Sequence, residues 1–101
     1  MTSRLQLQTM LEELLGSREV YFQPPASIRM SYPAIVYGLS KINNLNANNA
    51  VYKQDIAYTL TLIDEDPDSE FIYKISKLPK CRFDRSYVSD NLNHYTFTLY
   101  Y

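Results

Sequence analysis

The sequence has little of the chemistry from which most catalytic and metal sites are built. Among 101 residues there are one cysteine, one histidine, two glycines and no tryptophan. A single cysteine, Cys81, excludes an internal disulfide framework and cannot by itself build a thiolate zinc site. With glycine only at positions 16 and 38, no glycine-rich phosphate loop is present. We therefore expect no catalytic residues, no cofactor and no metal, and we expect that the protein is not an enzyme.

The chain also lacks a long apolar run and an excess of basic charge. No segment approaches the roughly 20 apolar residues that span a bilayer, and charges interrupt the N-terminus too often for a signal peptide. The formal net charge of −1 argues against tight non-specific binding to nucleic acid, which depends on many Lys and Arg contacts to phosphates. We expect one domain over residues 1–101, made in the cytosol and without a membrane contact.

Three kinds of side chain could still take part in chemistry or binding: the single cysteine Cys81, the single histidine His94 and the ten tyrosines. Cys81 is expected to be a buried or half-buried small side chain. His94 lies in an aromatic, alternating segment and is expected to be a sheet or interface residue. The tyrosines fit a sheet with wet edges and an extensive protein interface equally well.

Hydrophobic periodicity predicts two helices and five strands. A helix is expected to begin at the capping-box pattern Ser3-Arg4-Leu5-Gln6, with its apolar stripe at Leu7, Met10, Leu11, Leu14 and Leu15 and with Gly16 as its left-handed C′ residue. The expected strands are 20–23, 32–37, about 52–63, 82–88 and a final one whose inner face carries Tyr95, Phe97, Leu99 and Tyr101. A second helix, over 67–78, uses Phe71, Ile75 and Leu78 as its apolar face.

The order of these elements, αβββαββ, predicts an α+β fold. Helices separated by groups of strands of hairpin size indicate a largely antiparallel sheet of about five strands with both helices on one face. Two segments are expected to be turns or loops: the asparagine-rich stretch 43–49, as a loop or hairpin tip, and 89–93.

The stretch IDEDPDSEF, residues 63–71, holds five carboxylates within seven residues and permits three interpretations. As a calcium loop that starts at Asp64 it fails, because Ser69 and Ile75 occupy the positions that require Gly and Glu. As a helix start it fits well, with Asp66 as N-cap and Pro67 at the first helical position. A protein-binding acidic patch and a small cation-binding module remain as alternatives.

Charge is also segregated along the chain. Residues 64–70 carry five acidic and no basic side chains, whereas residues 74–85 carry five basic side chains and Asp84. Either these are ordinary solvated charges with local partners, or they form complementary patches of a head-to-tail contact between subunits. The residues of such a contact would be Asp64, Asp66, Asp68, Lys77, Lys80, Arg82 and Arg85.

Four segments carry a resemblance to a known family. VYFQPP (20–25), YPAIVY (32–37), IDEDPDS (63–69) and LPKCRFDRSYVSDNLNHYTFTLYY (78–101) resemble small tail terminator or head-tail joining (neck) proteins of long-tailed phages and prophages of Gram-positive bacteria. The resemblance covers nearly the whole chain. It implies a virion structural protein that forms a ring, commonly a hexamer, at the tail-to-head junction, where it terminates the tail tube and joins it to the head.

The resemblance also implies partners and a location. The partners would be further copies of the chain, the major tail tube protein and a head-closure or connector protein, with phage DNA passing through the ring without sequence-specific binding. The protein would be assembled in the host bacterial cytoplasm and would reside in the virion. A head-side adaptor or head-closure protein is the alternative within this class, and a cation-binding module built on residues 64–70 is the alternative outside it.

Overall fold

The computed structural model describes residues 4–25, 28–47 and 50–101, with 45–47 and 50–54 described by their backbone. Within these residues two helices and five strands follow one another in the predicted order. They are α1 (Arg4–Leu15), β1 (Val20–Phe22), β2 (Ala34–Ala47), β3 (Ala50–Asp64), α2 (Phe71–Ser76), β4 (Cys81–Ser89) and β5 (Leu92–Tyr100).

The five strands form one sheet in the order β1-β2-β3-β5-β4. β1 is parallel to β2, and every other neighbouring pair is antiparallel. The predicted α+β fold with a largely antiparallel sheet is therefore confirmed. β1 and β4 are the two edges of this sheet, and β4 is nine residues long.

One face of the sheet carries the core. Alternate residues of the central strands share this face, since a strand points successive side chains to opposite sides. The ladder aligns Ile35 with Leu62 and Tyr95, and the next row aligns Tyr37 with Leu60 and Phe97. Both helices pack there through buried Leu7, Leu11, Leu15 and Ile75. The predicted apolar stripe of α1 is thus confirmed. For α2 the predicted face is correct at Phe71 and Ile75, but Leu78 lies beyond the end of the helix.

α1 ends as the sequence predicts. Gly16 has φ +76°, a left-handed conformation that glycine adopts without steric cost. Its N–H donates to the carbonyl of Glu12 at 2.9 Å, which satisfies one of the carbonyls left open at the helix end. The predicted capping residue Ser3 lies outside the described residues.

The asparagine-rich segment 43–49 was predicted as a loop or hairpin tip, and this is wrong for residues 43–47, which belong to β2; residues 48 and 49 lie outside the described residues. β2 continues through Asn43, Asn44 and Asn46 to Ala47, and its residues pair with β3 almost to the tip. β1 pairs with β2 at Ile35–Tyr37 and β5 pairs with β3 from Ala57 onward. Residues 39–47 and 50–56 therefore extend beyond the rest of the sheet as a two-stranded hairpin, which we call the arm. Asparagine's turn preference is overridden here because the ladder with β3 supplies its backbone partners.

The arm makes the molecule elongated, with principal extents of 51 × 23 × 23 Å.

A second hairpin, formed by β4 and β5, lies at the opposite end of the sheet. Its connecting turn is shorter than the five residues predicted. Two residues, Asp90 (φ 54°) and Asn91 (φ 64°), connect the strands. Two left-handed residues form the mirror-image turn whose twist matches that of the flanking strands.

Candidate functional site

The acidic stretch folds into successive side-chain-stabilised turns. The Oδ1 atom of Asp64 accepts from the N–H of Asp66 at 3.1 Å, and Oδ1 of Asp66 accepts from the N–H of Asp68 at 2.8 Å. Oγ of Ser69 then accepts from the N–H of Phe71 at 3.4 Å. Each side chain bonds the backbone two residues onward, which is the local pattern that Asp and Ser favour in turns.

These turns correct the predicted helix start. A helix does follow the acidic stretch, but it begins at Phe71 rather than at residue 67, and its N-cap is Glu70, without a side-chain capping bond. Asp66 does not cap the helix because its carboxylate is used in the preceding turn. The helix also ends at Ser76, before the predicted residue 78.

The acidic loop is attached to the sheet by β5. The hydroxyl of Tyr95 donates to the carbonyl of Pro67 at 2.9 Å, and Nδ2 of Asn93 donates to the carbonyl of Glu65 at 3.3 Å. Burial, and then the nearby carboxylates led by Asp64, raise the pKa of Tyr95, because the phenolate would be both desolvated and repelled. The loop is therefore a defined part of the fold, held at one end of the sheet.

The five carboxylates do not converge. Asp64 is 8% exposed, whereas Glu65, Asp66, Asp68 and Glu70 are exposed. Across the described residues no group of three His, Cys, Asp or Glu side chains is placed to hold a metal ion. This loop exposes four carboxylates, of which Glu70 pairs with Lys74 at 3.8 Å.

The basic residues of the predicted contact fall into two groups. Arg82 pairs with Asp84 at 3.1 Å, and the guanidinium of Arg85 lies over the Tyr87 ring at 5.0 Å. Lys77 and Lys80 are exposed. A bulge at Asp84 breaks the alternation of β4, so Arg82 and Arg85 point to the same face, which is opposite the helices.

The acidic loop and Lys80 lie at opposite ends of the sheet, although Lys74 of the basic segment lies beside the acidic loop. Asp64 pairs with Asn93 at one end, whereas Ala57 pairs with Tyr100 at the other, where the N–H of Tyr100 donates to the carbonyl of Lys80. The seven residue steps between these rows correspond to about 23 Å. Because exposed charges farther apart than a Debye length of about 8 Å are largely screened, the acidic end and Lys80 do not neutralise each other within one chain.

Cys81 and His94 have structural surroundings. Cys81 is half-buried at the start of β4, as predicted, and burial, followed by Asp84, raises the pKa of its thiol. A protonated thiol is a weak nucleophile. The His94 ring stacks on Tyr87 across the strands, with 4.8 Å between centroids, and its Nδ1 lies 3.1 Å from the carbonyl of Leu92. His94 is a sheet residue, as predicted.

Exposed apolar side chains mark two further surfaces. On the edge strand β4, Phe83 and Val88 are 46% and 70% exposed; on the arm, Leu39 and Ile42 are 48% and 49% exposed. Sequence reasoning missed both surfaces. The strong alternation of side chains after residue 55 predicted β3. The full length of β2, in contrast, depends on its pairing with β3 and could not be predicted.

Comparisons with known proteins add no assignment: no family model, no curated protein and no solved structure matches this chain. Within the described residues, no helix combines the length and hydrophobicity needed to cross a membrane.

Proposed function

We propose that this chain is a structural assembly protein, which works by binding further copies of itself and neighbouring proteins. The observation that carries this proposal is the placement of charge and apolar surface along one axis. The end of the sheet beside Asp64 is acidic, the end beside Lys80 is basic, and the arm projects from the basic end. Like ends repel and unlike ends attract, so head-to-tail association is favoured.

Within that class, we propose a tail terminator or neck protein of a long-tailed phage. It would form a ring, commonly a hexamer, at the tail-to-head junction, where it ends the tail tube and joins it to the head. The resemblance of 20–25, 32–37, 63–69 and 78–101 to such proteins motivates the ring. The α+β fold and the oppositely charged ends support it.

Deletion of the gene from the phage or prophage that carries it tests this assignment. We expect DNA-filled heads separate from tails, and tails of abnormal length if the protein terminates the tube. Electron microscopy of the lysate provides the measurement. Unjoined tails of normal length would instead indicate a head-side adaptor or closure protein, and complete, infectious particles would refute a role at this junction.

Charge-swap variants test the contact between ends. Lys77→Glu with Lys80→Glu should block assembly, and Glu65→Lys with Asp68→Lys in the same chain should partly restore it, because the reversed ends again attract. We choose these four positions because Asp64 is buried and Arg82 is paired with Asp84, so reversal there would disturb the fold. Glu13→Lys on the exposed face of α1 serves as the control. If all variants fold and the rescue still fails, the proposed charge contact is refuted. The role at the tail-to-head junction is then tested by the gene deletion alone.

A further inference from the structure

Beyond its base, the arm has no further strand beside either of its outer edges in the described part of the chain. β1 covers β2 at Ile35–Tyr37, and β5 covers β3 from Ala57 to Asp64. At the base, the N–H of Leu39 donates to Oε1 of Gln23 at 3.1 Å, and the carbonyl of Ile56 accepts from the N–H of Tyr101 at 3.1 Å. Isolated two-stranded hairpins are at best marginally stable in water, and asparagine is depleted in strands. An arm with asparagine at 43, 44 and 46 gains stability when another strand pairs with one of its edges.

The apolar side chains of the arm lie on the face of the sheet that the helices cover. Leu39 pairs with Tyr58, and Ile42 pairs with Ile56. Tyr58 belongs to the core, and Ile56 packs against it. Because cross-strand partners point to the same face, Leu39 and Ile42 continue the apolar face of the sheet beyond the helices, where they are half exposed.

The free edge of β4 presents matching features. Phe83 pairs with Phe97, and Val88 pairs with Asn93, which places both on that same helix-covered face. β4 has nine residues, and the free edge of β2 in the arm, residues 39–47, is equally long. At about 3.3 Å per residue each edge extends about 30 Å.

We propose that the arm of one copy adds to β4 of a second copy through residues 39–47, which extends the neighbour's sheet by two strands. In the same orientation, β2 runs away from the acidic end and β4 runs toward it, so the pairing is antiparallel. It brings Leu39 and Ile42 beside Phe83 and Val88 on one face. This inference rests on the proposed self-assembly and names the surface that performs it.

The charges at the two ends of the sheet favour this arrangement over pairing through the other edge of the arm. Pairing through the outer edge of β3 in the arm would relate two copies by a two-fold axis and would bring the two basic ends, with both copies of Lys80, together. Pairing through 39–47 is head-to-tail: the second copy's acidic end, through Asp90 after β4, comes to the base of the first copy's arm, a contact separate from the one tested at Lys77 and Lys80. There Arg4 lies over the Phe22 ring at 4.5 Å, and Lys41 lies near the start of the arm. A head-to-tail contact closes into a ring or continues as a filament.

Cross-linking of the full chain tests the proposal. In a Cys81→Ser background, Ile42→Cys and Val88→Cys are introduced together and treated with a bismaleimide linker of about 8 Å, the reach of diagonal neighbours in a sheet. At about 1 mM protein, even a contact with millimolar Kd is half populated. We expect a ladder of covalent oligomers beyond the dimer, since each copy offers an arm to one neighbour and β4 to another.

Three results decide the matter. A product that stops at the dimer would show a two-fold contact, and the absence of cross-linked product would show that the arm does not meet β4; either overturns the proposal. The control pair Arg18→Cys and Val88→Cys should give several-fold less product, because Arg18 precedes β1 at the acidic end, far from the arm. An equal yield from this control would mark the ladder as random collision and would also overturn the proposal.

Shortening the arm provides a second measurement that does not depend on cysteines. Replacement of residues 43–55 by Asn-Gly, which joins the paired residues Ile42 and Ile56 through a two-residue hairpin turn, should keep the melting temperature close to that of the parent chain. Sedimentation equilibrium at the same concentration should show loss of self-association. A folded, shortened chain that still associates would refute the arm's role. The neck assignment is tested separately, because ladder formation is a property of the protein and the deletion phenotype is a property of the particle.

Discussion

Gln8 holds α1 on the sheet, and its replacement by methionine should destabilise the fold measurably. Nε2 of Gln8 donates to the carbonyl of Val20 at 2.8 Å and to Oε2 of Glu12 at 3.1 Å, while its Oε1 accepts from the hydroxyl of Tyr37 at 2.6 Å. Tyr37 is 1% exposed. Its hydroxyl also accepts from Arg4 at 3.4 Å. Met at position 8 keeps the length and helix propensity of Gln but offers neither donor nor acceptor of comparable strength.

The expected cost follows from the groups left without partners. A lost hydrogen bond costs about 0.5–1.5 kcal/mol, and a buried donor left unsatisfied costs about 1–3 kcal/mol. Gln8→Met removes the Val20 bond and leaves the buried Tyr37 hydroxyl without its acceptor, so we expect about 2–3 kcal/mol. At about 4–8 °C per kcal/mol for a domain of this size, the melting temperature should fall by about 8–24 °C.

A double-mutant cycle with Tyr37→Phe isolates the bond between the two side chains. Urea unfolding of the four proteins is followed by tyrosine fluorescence, which ten tyrosines and no tryptophan make the natural signal. We expect a coupling energy of about 1 kcal/mol, since the second change costs less once the first partner is gone. Glu13→Met on the exposed side of α1 is the matched control and should change stability by less than about 0.5 kcal/mol. A coupling energy indistinguishable from zero would refute the network.

Three further predictions concern the acidic loop. The free energy of unfolding should fall as pH rises above about 10, because the raised pKa of Tyr95 means that this tyrosine holds its proton more tightly in the folded state than in the unfolded state. Tyr95→Phe should make that fall less steep in pH-dependent urea unfolding. An unchanged slope would contradict the reasoning. Ser69→Ala should cost about 1 kcal/mol, because buried Ser69 accepts from the N–H of Phe71. Asp66→Ala should cost less, because the bond that it removes, from the N–H of Asp68, is exposed to solvent; the reverse order in thermal melting would contradict this ranking. Calcium or magnesium titration should leave the melting temperature unchanged, and a rise in the presence of either ion would favour the cation-binding alternative.

Features of the fold that depend on neighbours in sequence could be predicted. The stripe from Leu7 to Leu15 and the left-handed Gly16 describe α1 correctly, since both express the 3.6-residue period and the freedom of glycine. The alternation around Leu60 and Leu62, and again around Phe97 and Leu99, locates two central strands. These patterns, taken in order, were enough to predict an α+β fold with both helices on one side of the sheet.

The candidate surfaces could be predicted only in part. The acidic run 64–70 and the basic run 74–85 can be read from the sequence. The separation of the acidic loop from Lys80 depends on the register of β3 with β5, and the pairing of Lys74 with Glu70 becomes known only from the structure. Asp66 looked like a helix cap because the sequence does not show which backbone N–H its carboxylate will meet. In the structure the nearest donor is that of Asp68, so the helix begins four residues later than predicted.

The sequence by itself determined where apolar periods begin and end, because those depend on chemistry within a few residues along the chain. The tertiary structure decided what the asparagines of β2 do, because backbone pairing with β3 outweighs their preference for turns. It also decided, through the bulge at Asp84, that Arg82 and Arg85 share a face. Strand order and register bring together residues far apart in sequence, and within the described residues those long-range pairings place no further strand beside the arm or the outer edge of β4.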